Sequence, residues 1–151
     1  MATTSAPGIS GFATGRILAR RDLTGAVDFG HLEGYAAGDD ALVEEVLGLF
    51  REQAALWLPL LDPAAEAGAW RDAAHSLKGS ALGVGAFQVA KACESAEAAF
   101  EAPLGVKAAR LLDVRDALDR ALADIAAYVH ERALQSLKPP PLLLDESKKL
   151  R

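Results

Sequence analysis

A single cysteine, Cys93, stands in a chain of 151 residues, so no intramolecular disulfide can form. Aromatic residues are scarce at 6%, while half of the chain is hydrophobic and alanine is abundant. That balance disfavours a sheet built from aromatic and β-branched residues and suits closely packed helices, so the fold class expected is all-α. No dense Lys/Arg cluster is present and the net charge is −5, which argues against nucleic acid or an anionic membrane as partner. No apolar stretch approaches the roughly 20 residues that cross a bilayer. The N-terminus also lacks a charged segment followed by an apolar run of signal-peptide length. There is no glycine-rich loop after a strand to cradle nucleotide phosphates. Nor is there a serine or cysteine paired with a base and an oriented third group, as hydrolysis would require. What is left is one domain, cytoplasmic, whose partner is another protein.

The chain itself divides into an arm, a helical body and a tail. Residues 1–26 carry Gly8, Gly11, Gly15 and Gly25 with Pro7, which opposes a long helix and reads as a mobile N-terminal arm; its Arg20-Arg21 pair reads as solvated charge. Asp28 caps a short helix that ends near Gly38, with His31 on its surface or half buried. Asp39-Asp40 open a longer helix with apolar residues Leu42, Val43, Val46, Leu47, Phe50, Ala54 and Leu58, which Pro59 and Pro63 should kink or end. A third helix starts at Ala69 and is ended by Gly83 and Gly85. A fourth, Phe87 to Glu101, should bury Val89, Cys93, Ala96 and Phe100. After Pro103 the seam of the last helix is Leu104, Leu111, Val114, Leu118, Leu122, Ile125 and Val129, running to about Leu134, with His130 near its C-terminus. Residues 136–151, with Pro139-Pro140-Pro141 and then charge, read as a disordered tail.

The stretch that organises this pattern is Ala74 to Gly85, where His75, Lys78 and Gly79 fall within five residues of one helix. At about 100° per residue, Trp70, Ala74, Leu77, Ala81 and Val84 lie within roughly 40° of one line, the buried seam. His75 then points about 140° away from it, with Gly79 and Leu82 on the same outer face and Lys78 at its flank. A histidine placed there is no core residue. A glycine in mid-helix costs about 0.5 to 1 kcal/mol relative to alanine, so something other than helix stability selects Gly79. A solvent-facing imidazole keeps a lone pair at neutral pH and can act as a nucleophile. Lys78 can bring positive charge to anionic oxygens, and Gly79 removes the side chain that would block a bulky reactant. The three together suggest a phosphoryl group placed on His75 by something large. The tight turn after Val84 makes the third and fourth helices an antiparallel hairpin, which brings Glu94 or Glu97 within reach of His75.

His75-Ser76-Leu77-Lys78-Gly79-Ser80 followed by Gly85 resembles the H-x-L-K-G-S-x4-G signature of histidine-containing phosphotransfer (HPt) domains, which relay phosphate in multistep two-component signalling. The resemblance extends from Val27-Asp28 to about residue 130 and includes Gly38-Asp39, Leu49-Phe50, Gly68-Ala69-Trp70, Glu94 and Glu97. It implies an antiparallel up-down four-helix bundle, with the additional short N-terminal helix, over residues 27–135. By the same resemblance His75 is the phosphoacceptor, Lys78 balances the phosphoryl charge, Gly79 gives a partner clearance, and Ser80, Gln88 or Glu97 orients the imidazole. Glu97 occupies a place where the family often has a neutral polar residue; it can hold the ring N–H but also repels phosphate. Leu82 belongs to the docking face. The partners implied are response-regulator receiver domains and a sensor or hybrid histidine kinase. The chain itself carries no metal or cofactor, Mg²⁺ coming from the receiver, has no kinase activity and is a monomer.

Three other readings compete. The phosphoacceptor helix pair of a histidine kinase, a dimeric phosphotransferase, usually follows its histidine with an acid and soon a proline, whereas Ser76-Leu77-Lys78-Gly79 follows here. A carboxylate-bridged di-metal bundle would use Asp72 with His75 at i, i+3, but needs a second such pair, and Tyr128-Val129-His130 fails the spacing. The last is a helical adaptor whose histidine is never phosphorylated.

Overall fold

The computed structural model describes residues 23–137, within which every regular element is helical. The helices are α1 (Phe29–Tyr35), α2 (Asp40–Trp57), a 3-10 turn (Leu58–Leu60), α3 (Ala67–Val84), α4 (Phe87–Ala98) and α5 (Leu104–Ser136). By contact the described residues separate into two units, Leu23–Ile125 and residues 126–137. The first unit holds the four-helix bundle, with α1 as the extra short helix. The second holds the end of α5, where the Arg132 guanidinium donates to the Tyr128 hydroxyl at 3.2 Å. The tail and most of the arm lie outside the described residues.

α1 and α2 each begin at a capping aspartate. The Asp28 carboxylate accepts the His31 amide at 3.0 Å, and the Asp39 carboxylate accepts that of Leu42 at 3.1 Å, each satisfying an amide that has no partner within its own helix. α1 buries Phe29 and Leu32, and α2 buries Val43, Leu47, Phe50 and Ala54. Leu42 lies on the outer face of α2 instead of its seam, and Leu58 has passed into the 3-10 turn, whose second residue is Pro59. α3 starts two residues earlier than expected, at Ala67, and Gly83 is still helical. Gly85 alone ends it: its φ is +84°, and Ala86 N–H to Ala81 O (2.9 Å) with Gly85 N–H to Leu82 O (3.3 Å) close the last turn as a Schellman cap. A Cβ at this position would also sit 2.9 Å from the Asp28 carbonyl oxygen, so glycine is required twice over.

The α3–α4 hairpin runs antiparallel around this turn, and Trp70, fully buried, donates its indole N–H to the Ala96 carbonyl at 2.7 Å near the end of α4. α4 stops at Ala98, leaving Phe100 half buried in the following turn. The α5 seam departs most from the heptad reading. Leu104 is 61% exposed, and Leu111 and Leu122 are half buried. Val114, Leu118 and Ile125 are buried as expected, and Lys107, Ala117, Ala121 and Asp124 face inward beside them. An α-helix drifts about 20° per heptad against a strict seven-residue repeat, so a line through Leu118 and Ile125 has moved off the core by Leu104. Two of the inward residues are charged. Lys107 lays its ammonium 5.5 Å from the Trp70 ring centroid. Asp124 accepts hydrogen bonds from the Thr24 amide (2.9 Å), the Thr24 hydroxyl (3.0 Å) and the Ala26 amide (3.0 Å). Residues 24–26, assigned to the arm on sequence, are thereby tied to the bundle.

Candidate functional site

The site lies on the outer face of the α3–α4 hairpin. His75 projects from the middle of α3 with 67% of its side chain exposed, while the flanking Ala74 and Leu77 are fully buried. Glu97, in the last turn of α4, reaches across to it: Glu97 Oε2 lies 2.9 Å from His75 Nδ1, and Oε1 lies 2.9 Å from Lys78 Nζ. One carboxylate therefore bridges the two residues that the sequence pattern singled out. Of the two acids placed within reach by the hairpin register, Glu97 makes the contact; Glu94 is exposed and acts on Lys78 only through its charge.

The electrostatics follow from that bridge. The Lys78 hydrogen bond, and after it that of His75, hold the Glu97 carboxyl below the usual carboxylate range against an opposing effect of desolvation. The same Glu97 hydrogen bond raises the Lys78 ammonium above its ordinary value. Glu97 is thus an anion at neutral pH, and a carboxylate only accepts. His75 Nδ1 must then carry the proton, so that in the neutral ring the lone pair is on Nε2, in a side chain that is 67% exposed. Cys93, one turn before Glu97, is fully buried, and burial pushes its thiol up to about 12. It is packing material and no nucleophile.

Gly79 and Leu82 continue the face. A Cβ built on Gly79 meets nothing within 4 Å, so no neighbour inside the chain demands a glycine there. Leu82 is 47% exposed. Ser80 and Gln88, the other two residues named as possible orienters, are not hydrogen-bonded to His75. Ser80 projects to the opposite side of α3, into a groove shared with Val46, Leu49, Phe50 and Gln53 of α2. Gln88 is exposed on the first turn of α4, beside Gly25, Val27, Asp28 and Gly85. The angular argument that put His75 outside also separates Ser80 from it by about 140°. The remaining histidines take other roles: His31 packs edge-on against Phe87 with ring centroids 5.5 Å apart, and His130 is exposed on α5. Among the described residues no group of three or more His, Cys, Asp or Glu is placed to hold a metal ion, and Asp72 points outward. No described helix is long and apolar enough to cross a membrane.

One further cation on this side of α3 was not singled out on sequence. Arg71, a turn before His75, holds its guanidinium carbon 5.0 Å from the Phe100 ring centroid. Its angular position, about 40° from that of His75, was the available signal.

Comparison with known proteins is consistent with this geometry. The Hpt domain family matches residues 41–129. Among solved structures, the crystal structure of histidine phosphotransferase ShpA from Caulobacter crescentus is 59% identical, with a TM-score of 0.64; the match covers 76% of this chain and 100% of that one. A search of curated proteins finds no match.

Proposed function

The chain belongs to the Hpt domain family and acts in histidine phosphotransfer within a phosphorelay, and on that premise we propose that His75 carries the phosphoryl group, on Nε2. The observation that carries this reading is the Glu97 bridge, which fixes the proton on Nδ1 and leaves an exposed Nε2 lone pair. In the reaction proposed, Nε2 attacks the phosphorus of an aspartyl phosphate on a receiver domain. The N–P bond forms as the P–O bond to the acyl oxygen breaks, and the aspartate leaves as a carboxylate with the bonding pair. No proton has to move. The ring keeps Nδ1–H and becomes a cation, the phosphoryl group carries two negative charges, and the total charge is conserved.

This balance accounts for a carboxylate beside a phosphate site. Glu97 lies at the Nδ1 edge, where positive charge develops, on the opposite side of the ring from the phosphoryl group. Its repulsion is offset by Lys78, which is already bound to its other oxygen and stands one turn from His75. Gly79 leaves the approach to Nε2 open, and Leu82 gives the docking receiver an apolar contact. Mg²⁺ is expected on the receiver's side of the complex. Donor and acceptor partners are receiver domains, one of them attached to a hybrid histidine kinase. The chain works as a monomeric cytoplasmic carrier without kinase activity of its own.

Incubation with a phosphorylated receiver and Mg²⁺ should give an acid-labile, base-stable label on the full chain. His75→Gln should abolish it. Label retained in His75→Gln, or no label from any receiver of the source organism, would refute the assignment.

A further inference from the structure

We propose that Arg71 is a second cation for the phosphoryl group, pairing through its guanidinium with the phosphoryl oxygens on His75, an inference that rests on His75 being the acceptor. Three observations converge on it.

The first is position. Arg71 and His75 are four residues apart on α3, so their Cβ atoms are neighbours on the helix surface. Side chains on a helix lean toward its N-terminus, which tips the His75 ring, and anything attached to it, toward the turn that holds Arg71.

The second is charge. A phosphoryl group adds two negative charges beside Glu97, with Glu94 and Asp72 also exposed on this side of the hairpin. Lys78 is the nearby cation, and its ammonium is already bound to Glu97 at 2.9 Å. The site as it stands is short of positive charge once loaded.

The third is availability. The one carboxylate within 4 Å of the Arg71 guanidinium, among the described residues, is that of Asp72, at 4.0 Å from Nε and beyond hydrogen-bond length. The guanidinium instead rests on the face of Phe100, in the turn after α4. A stacking contact at an exposed site is weak and keeps the five N–H donors unspent. The planar fork matches two phosphoryl oxygens at once, which an ammonium cannot do. Phe100 thus holds the guanidinium near His75 in the unloaded state.

The test uses phosphoramidate as donor, so that no partner protein is needed. His75 Nε2 forms the N–P bond, the P–N bond of phosphoramidate breaks, and ammonia leaves with a proton from solvent. Labelling of the full chain is followed by ³¹P NMR and by the lifetime of the phosphohistidine. Arg71→Gln should lower the extent of labelling by about three- to tenfold, the range for one partly exposed charge-assisted contact, and move the ³¹P resonance. Arg71→Met, which keeps the stem that packs over Phe100, should give the same loss, and Arg71→Lys should recover part of it. Circular dichroism should match wild type throughout. Wild-type labelling and an unmoved resonance in both Arg71→Gln and Arg71→Met overturn the proposal, provided His75→Gln is unlabelled. A ³¹P phosphohistidine signal that persists in His75→Gln instead overturns the acceptor assignment itself, and the proposal with it.

Discussion

Removing the Glu97 carboxylate should impair transfer through the proton it holds, without disturbing the fold. In Glu97→Ala the Nδ1–H loses its acceptor, and the ring is free to place its proton on Nε2, where it blocks attack. The contact at stake is one charge-assisted hydrogen bond of 2.9 Å. Such bonds contribute roughly 1.5–3 kcal/mol when sheltered. Glu97 keeps 24% of its side chain exposed, so solvent screening favours the lower end, about 1.5 kcal/mol. At 1.4 kcal/mol per factor of ten, transfer to His75 should slow by about tenfold. Glu97→Gln retains an oxygen that can accept from Nδ1–H but cannot balance the ring cation, so its loss should be smaller, about threefold. Release of Lys78 in both variants works the other way by freeing a cation for the phosphoryl group, which makes these figures upper limits. Ring-nitrogen NMR reads the tautomer directly, and rapid-quench phosphotransfer reads the rate. An unchanged Nδ1–H tautomer and a wild-type rate in Glu97→Ala would refute the reasoning.

Four further outcomes are expected. Gly79→Ala should stabilise the protein by about 0.5–1 kcal/mol in urea unfolding, since the added Cβ meets nothing within the chain. Gly79→Gln should keep the helicity yet slow transfer, and a wild-type rate there would dismiss the clearance argument. Asp124→Ala strands three donors, two on Thr24 and one on Ala26, and should cost about 2–4 kcal/mol with faster hydrogen exchange at Ala26; a loss under about 0.5 kcal/mol would mean that residues 24–26 are not held as described. The Glu97 carboxyl, lowered from 4.5 in the folded state, contributes stability that is present above pH 4.5 and is lost as pH falls through the lowered value. The stability gap between wild type and Glu97→Gln should therefore narrow below pH 4.5, and a gap that is constant from pH 7 to pH 3 would contradict it.

Periodicity was informative wherever one helix face carried both the apolar seam and nothing else. On α3 the line through Trp70, Ala74, Leu77, Ala81 and Val84 is buried throughout, and His75 is exposed as its angle requires. The α3–α4 register was legible too, because a single tight turn leaves little freedom, and Glu97 meets His75 as the count from the turn predicts. On α5 the same reading places Val114, Leu118 and Ile125 in the core but Leu104 outside it, for a physical reason. A strict heptad line drifts off the core in a helix of 3.6 residues per turn, and the core there also accepts Lys107 on an indole face and Asp124 as a hydrogen-bond hub. Neither is visible in a pattern of hydrophobicity, since each depends on a partner distant in sequence, Trp70 for one and Thr24 with Ala26 for the other. Arg71 was overlooked for the opposite reason: an arginine on an exposed face looks like solvation until Phe100 is seen beneath it.

The division of α3 into two faces also determines what its variants can report. The helix is held by its inner side, where Trp70, Ala73, Ala74, Leu77 and Ala81 are fully buried and the Trp70 indole is tied to the Ala96 carbonyl. Burying an apolar side chain of the size of Leu77 contributes about 1.5–3 kcal/mol. The outer face contributes little to folding and is free to be chosen for chemistry, which is why a helix-weakening glycine is tolerated at position 79. Changes at Arg71, His75, Lys78, Gly79 and Glu97 should therefore separate transfer from stability, whereas Leu77→Ala, at an expected 2–5 kcal/mol, would reduce both together. A rate loss at an outer-face position accompanied by a fall in stability as large as that of Leu77→Ala would show that the two faces are not independent, and the site would have to be read as part of the core.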